Sequence, residues 1–200
     1  MMKKIVDNDM AVCYNERMKA RVKSAYTKEE AEKYKQIILY AIKSGADKDG
    51  NIAKTKLAKQ VYLADFIWFY ENYVSMSGMD YRKRDRGPVA DVFFRILDEM
   101  EDDDTVRCER IGNNVNDKEK HLYSINNLDV NFDRLSAEEQ DLIKQIGEAW
   151  LPMRAGEIID FTHEQMPYKI CRDGEIIPYS LITQEDPSNV YGPVQLLRNV

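Results

Sequence analysis

The side chains that could do acid–base or metal chemistry are few and scattered. Only two histidines occur, His121 and His163. Asp160 and His163 stand three residues apart, so a helix puts them on one face, and with Glu164 they could supply metal ligands or an acid–base pair. The more ordinary reading is a histidine that caps or hydrogen-bonds within the fold. A Cys–His nucleophile needs Cys13 or Cys171 folded against His163, and nothing in the spacing supplies that. The Gly-rich phosphate loops, the H-E-x-x-H zinc helix and the G-x-S-x-G elbow are missing. The residues therefore give no catalytic, cofactor-binding or metal-ligating assignment, and the expectation is a protein that is not an enzyme.

The other chemically distinctive stretch is Tyr81-Arg82-Lys83-Arg84-Asp85-Arg86. Cations beside an aromatic ring can hold phosphates and stack a base, or can meet an acidic protein surface. A solvated loop, paired with surplus acids, is the plain alternative. Tyr81, Arg82, Arg84 and Arg86 are the candidate partner-binding residues. Tyr73, Met76, Met79, Tyr168, Tyr179 and Tyr191 are further anchors, each with an ordinary explanation in local packing. Asp65 interrupts an apolar run, and a buried carboxylate must be hydrogen-bonded, which suggests a structural bond to a neighbouring loop.

These residues need a frame, and hydrophobic periodicity supplies it. Thr27 and Glu30 form a capping-box pair, after which Tyr34, Ile37, Ile38, Ala41 and Ile42 recur at helical spacing as far as Gly45. A second helix, capped by Thr55, runs from Leu57 to Tyr70. It is apolar nearly all round, which marks the most buried element. Gly87-Pro88 opens a third helix, with Pro in the first turn and Val89, Val92, Phe93, Ile96, Leu97 and Met100 following. The acids from Asp98 to Asp104 make a solvated helix end. Thr105–Ile111 and His121–Ile125 read as strands of a hairpin, joined through Gly112-Asn113-Asn114 and Asn116-Asp117. Ser136 and Glu139 cap a fourth helix that ends near Pro152, and a fifth covers Ala155 to about His163. The remaining tail is Pro-rich and mostly irregular. The fold class is mainly α: a compact helical domain of about five helices with a small antiparallel β-hairpin. Residues 1–26 form an N-terminal extension and 27–200 a single domain.

At 200 residues with 44% hydrophobic side chains the chain can bury a sizeable core. It carries no run of apolar residues long enough to cross a bilayer. Cys13, Cys108 and Cys171 are odd in number and lack zinc-site spacing, which suits a reducing cytoplasm. A net charge of −6 disfavours a surface devoted to nucleic acid, because phosphate binding needs a positive field.

Four segments, in order, carry a resemblance: Leu57-Ala-Lys-Gln-Val-Tyr-Leu-Ala-Asp-Phe66, Arg86-Gly-Pro-Val89, Leu135-Ser-Ala-Glu-Glu139 and Ala155-Gly-Glu-Ile-Ile-Asp-Phe-Thr-His163. As a set, over roughly residues 32 to 182, the sequence resembles the Panacea, or SocA-like, antitoxin domain of phage-associated proteins. The resemblance implies an antitoxin that neutralises a cognate protein toxin by direct binding, and in the SocA branch an adaptor that delivers the toxin to a Clp-type protease. It carries no catalytic residues. A regulator that binds DNA at its own operon and an enzyme with a site near His163 are the alternatives. A second copy of the chain is an open partner through the N-terminal extension.

Overall fold

A computed structural model describes residues 26–112, 119–126 and 130–194. The N-terminal extension, apart from Tyr26, lies outside the described residues, as do Asn113, Asn114, Asn116 and Asp117 of the hairpin turn and the last six positions. The architecture is mainly α with small antiparallel sheets.

Helix α1 spans Lys28–Gly45 and starts as its sequence requires. The Thr27 hydroxyl accepts from the Glu30 amide at 3.1 Å, while the Glu30 carboxylate accepts from the Thr27 amide at 2.6 Å. After a short strand β1 (Ile52–Ala53), helix α2 (Lys54–Asn72) forms the centre of the molecule. Every residue from Lys56 to Ile67 is buried, so its apolar residues face all directions and packing covers them on all sides. Burying a side chain such as Phe66 or Leu63 contributes roughly 1.5–3 kcal/mol. Helix α4 (Ala137–Trp150) packs on both α1 and α2, and carries the second capping box at Ser136 and Glu139. At Gly147 a Cβ would stand 2.6 Å from the Ser44 carbonyl carbon, so glycine sets how closely α4 crosses α1.

Strands β4 (Val106–Ile111) and β5 (Lys120–Ile125) form the expected hairpin, and β1 joins it, giving the order β1-β5-β4. At two residues β1 is too short to show in a sequence pattern, and its pairing (Ile52 with Tyr123, Ala53 with Leu122) appears only when α2 is docked. Strands β2 (Tyr81–Arg82) and β3 (Val89–Ala90) form a second, two-stranded ribbon.

That ribbon corrects one expectation. Pro88 does not begin a helix; α3 begins at Phe93 and runs to Asp102. The Gly87 amide closes a turn on the Arg84 carbonyl at 2.7 Å, with Gly87 at φ +92°, so Val89 and Ala90 extend and pair with β2 before the chain can coil. Thr55 likewise is not a cap: α2 already begins at Lys54, with Ala53 at the cap position and no side-chain bond. The acid run ends α3 as expected, with Asp102 to Asp104 exposed and Glu101 engaged bidentately by Arg110 of β4 at 2.8 and 2.9 Å. Helix α5 (Ala155–Glu164) is followed by four elements the sequence pattern left as irregular tail: α6 (Met166–Ile170), a 3-10 helix at Tyr179–Gln184, α7 (Pro187–Tyr191) and a 3-10 turn at Gly192–Val194. No helix among the described residues is long and apolar enough to cross a membrane.

Asp65 has the structural role expected of it. Its carboxylate accepts from the amides of Met76 and Ser77 at 2.8 and 3.1 Å, from the Ser77 hydroxyl and from the Tyr81 hydroxyl at 3.1 Å. Burial still raises its pKa above the ordinary carboxylate value, against the lowering effect of those donors. Asp65→Ala strands several buried donors at once. The expected loss is about 3 kcal/mol of stability, a fall in Tm of roughly 6–12 °C, read by thermal unfolding; a change within about 1 kcal/mol would show that water replaces the carboxylate.

Candidate functional site

The candidate site is a cleft of about 640 Å³ between the first turns of α2 and the segment that connects β2 to α3. Lys54, Thr55, Ala58 and Lys59 line one wall, their spacing placing them along one side of α2. Arg84 to Gly87 form the rim, and Val89, Ala90, Asp91 and Phe94 complete the lining. The ring of Phe94 is 49% exposed, with Lys54 Nζ 5.7 Å from its centroid.

Lys59 is the most unusual residue of the cleft. It is 2% exposed, and its ammonium donates to the Pro88 carbonyl at 2.7 Å, an acceptor for one of three N–H groups. Among the described residues no carboxylate pairs with it, and burial pushes its pKa down to about 7. Gly87 makes room for it: a Cβ there would lie 2.8 Å from Lys59 Nζ and 3.0 Å from His163 Nε2. A side chain at position 87 would fill that space, and the positive φ independently favours glycine.

Beneath the rim, His163 stacks flat on Tyr168, with centroids 4.1 Å apart and planes 4° from parallel, and Lys83 Nζ lies 4.4 Å from the Tyr168 centroid. The Tyr168 hydroxyl donates to the Arg84 carbonyl at 3.2 Å, tying α6 to the rim. Burial lowers the His163 pKa and the nearby Lys59 charge adds to that, which favours the neutral ring. Its Nε2 is buried without a hydrogen-bond partner among the described residues. His163 thus sits behind the rim as a packing residue. Glu164 is engaged elsewhere, 2.6 Å from Lys169 Nζ, and Asp160 is exposed. Among the described residues, no group of three or more His, Cys, Asp or Glu side chains could hold a metal ion. His121 bridges Lys54 and Glu119 at 2.9 Å each, outside the cleft lining.

The four sequence-derived partner-binding residues separate by depth. Tyr81 is fully buried, its hydroxyl on Asp65 and its ring against Tyr62 and Phe66, so it belongs to the core and offers no surface to a partner. Its strand position, alternating inward, decides this. Arg82 is half-buried, pairs with Asp91 and donates to the Gly174 carbonyl at 2.9 Å. Arg84 also reaches Asp91, at 3.2 Å, from the cleft rim. Arg86 is exposed on that rim with no hydrogen bond or ion pair among the described residues. Of the additional anchors, Met76 and Met79 are buried and Tyr179 stacks on Phe66 and Phe69, whereas Tyr73 is 74% exposed. Lys59 and Phe94 escaped the sequence reading as site residues. A lysine in the middle of a mostly apolar helix was the available signal.

Comparison with known families matches residues 57–169 to the Antitoxin SocA-like, Panacea domain model. This chain belongs to that antitoxin family. The matched span starts in α2 and ends in α6, so it contains every residue that lines the cleft from Ala58 to Phe94. Comparison with curated proteins finds no match, and comparison with solved structures finds none either.

The buried ammonium has a measurable consequence. The unfolded chain keeps the Lys59 proton up to its ordinary value of 10.5, whereas the folded chain releases it near 7. Between those values the unfolded state binds more protons, so this residue makes stability rise with pH. Thermal unfolding from about pH 7 to about pH 9 should show the Tm of the parent chain rising relative to that of Lys59→Met. Parallel curves for the two proteins would mean that Lys59 titrates normally.

Proposed function

We propose that this chain is the antitoxin of a toxin–antitoxin pair and neutralises its cognate protein toxin by direct binding in the cytoplasm. Membership of the SocA-like, Panacea family carries this reading. The structure supports it with a surface of suitable kind: a cleft with a desolvated floor, an exposed aromatic ring and an arginine rim. An antitoxin acts by occupying its partner, so catalysis is no part of this account. Residues 27–200 act in it as one domain.

The DNA-binding alternative draws less support. Arg82 and Arg84 pair with Asp91, and among the described residues Arg86 is the rim arginine with no ion pair, which is little to track a phosphate backbone. The proteolytic adaptor role is a finer variant of the same reading, since an adaptor must also bind its toxin.

Co-expression with the product of the adjacent gene tests the proposal, scoring growth and co-purification. Rescue with a stoichiometric complex is the expected result; rescue accompanied by disappearance of the neighbour assigns the adaptor mode with a Clp-type protease. A harmless neighbour that forms no complex overturns the antitoxin reading. In the complex, Arg84→Glu with Arg86→Glu should weaken binding and flatten its salt dependence. Unchanged affinity and salt slope would remove the rim from the interface.

A further inference from the structure

We propose that the α2 cleft is the pocket for an acidic side chain of the protein partner, whose carboxylate seats on the Lys59 ammonium while the neighbouring apolar part of the partner lies against Phe94, Val89 and Ala90. The inference rests on the antitoxin reading above for its source of the carboxylate, and on the geometry of the cleft for its chemistry.

The argument begins with what Lys59 lacks. A buried ammonium is normally paired with a carboxylate, because the cost of removing it from water is otherwise uncompensated. Lys59 is 2% exposed and, among the described residues, has a single neutral acceptor, Pro88 O at 2.7 Å, which leaves two of its N–H groups without one. Its other close neighbour, His163 Nε2, belongs to a ring whose own charging is disfavoured and which supplies no negative charge. Lys59 is itself one of the residues that line the cleft, so a ligand seated there lies beside the one buried ammonium of its wall.

The rest of the lining selects an anion. Lys54, Lys59, Arg84 and Arg86 face Asp85 and Asp91, and Asp91 is already held by Arg82 and Arg84. The local balance is positive on a chain whose formal net charge is −6. A cation-lined cleft with low-dielectric walls focuses that field, and an incoming carboxylate would replace lost hydration with a charge-assisted hydrogen bond. Thr55 supplies a hydroxyl in the same lining. In the same lining, the half-exposed Phe94 ring, with Lys54 Nζ 5.7 Å from its centroid, gives an apolar surface beside the charges. A buried, geometrically fixed cation beside an open arginine rim is the arrangement of an interface hot spot ringed by weaker contacts.

The test uses the full chain labelled with 13C-lysine, followed by NMR through the lysine ε-CH2 signals, with glutarate and inorganic phosphate as probes. Lys59 is assigned by its absence in Lys59→Met, or, should that variant fail to fold, by its absence in Lys59→Arg. The expected result is a saturable shift of the Lys59 signal by glutarate, with Lys48 in its exposed turn moving only weakly. Arg86→Glu, a substitution at an exposed residue, should weaken glutarate by about tenfold. A Lys59 signal that does not move with either probe, or moves no more than Lys48, overturns the site while leaving the antitoxin reading intact. The second arm adds the purified partner. A shifted Lys59 signal that glutarate no longer perturbs establishes that the partner fills the pocket. A stable complex in which glutarate still binds Lys59 overturns the assigned occupant, and phosphate binding that excludes glutarate assigns the pocket to a free phosphorylated ligand instead. Glutarate binding without any complex or rescue would overturn the antitoxin reading and with it the assigned occupant, while the anion pocket itself would stand.

Discussion

The fold depends on the burial of one helix that is not wholly apolar. Helix α2 is covered on all sides, yet it carries Lys56, Lys59 and Asp65 into the interior. Each of these three charged groups is met by a different surrounding segment, and those bonds help decide where the segments lie. Lys56 donates to the carbonyls of Leu151 and Met153 at 2.9 and 3.0 Å, fixing the chain just past α4. Those carbonyls sit where a cation also complements the helix dipole. Asp65 gathers the amides of Met76 and Ser77, and Lys59 holds Pro88. The hydrophobic effect drives α2 inward without direction; its three charged side chains supply the direction.

The proposed pocket is built on the least satisfied of the three. Asp65 has four donors and Lys56 two acceptors, but Lys59 has one, and it is the one that borders a cleft. The same contact that places Gly87-Pro88 against α2 leaves an ammonium under-coordinated beside Arg84 and Arg86. In the proposed pocket, the cost of such a group in the free protein is recovered when the partner provides the missing acceptor.

Much of the frame was legible in the sequence. Five helices followed from periodicity and from two capping boxes that the structure reproduces at Thr27 and Ser136. The structural role of Asp65 followed from the cost of an unpaired buried carboxylate. What the sequence concealed depends on contacts between distant segments. Strands β1, β2 and β3 have two residues each, below any period, and form because β5 and each other's backbone groups are nearby. Pro88 looked like a helix start because proline suits both a first helical turn and an extended edge. Tyr81 looked like a surface anchor because it stands among arginines, whereas strand alternation buries it and exposes its neighbours. The family match spans 57–169, less than the 32–182 over which resemblance was read, although α1 shares the same core.

Amide hydrogen exchange on the parent chain and on Lys59→Met tests most directly whether a polar contact from α2 positions the cleft. The account predicts faster exchange confined to the segment from Arg84 to Asp91, with the α2 amides between Val61 and Ile67 still the best protected. Unchanged protection across that segment, or loosening spread evenly through α1, α2 and α4, would contradict it.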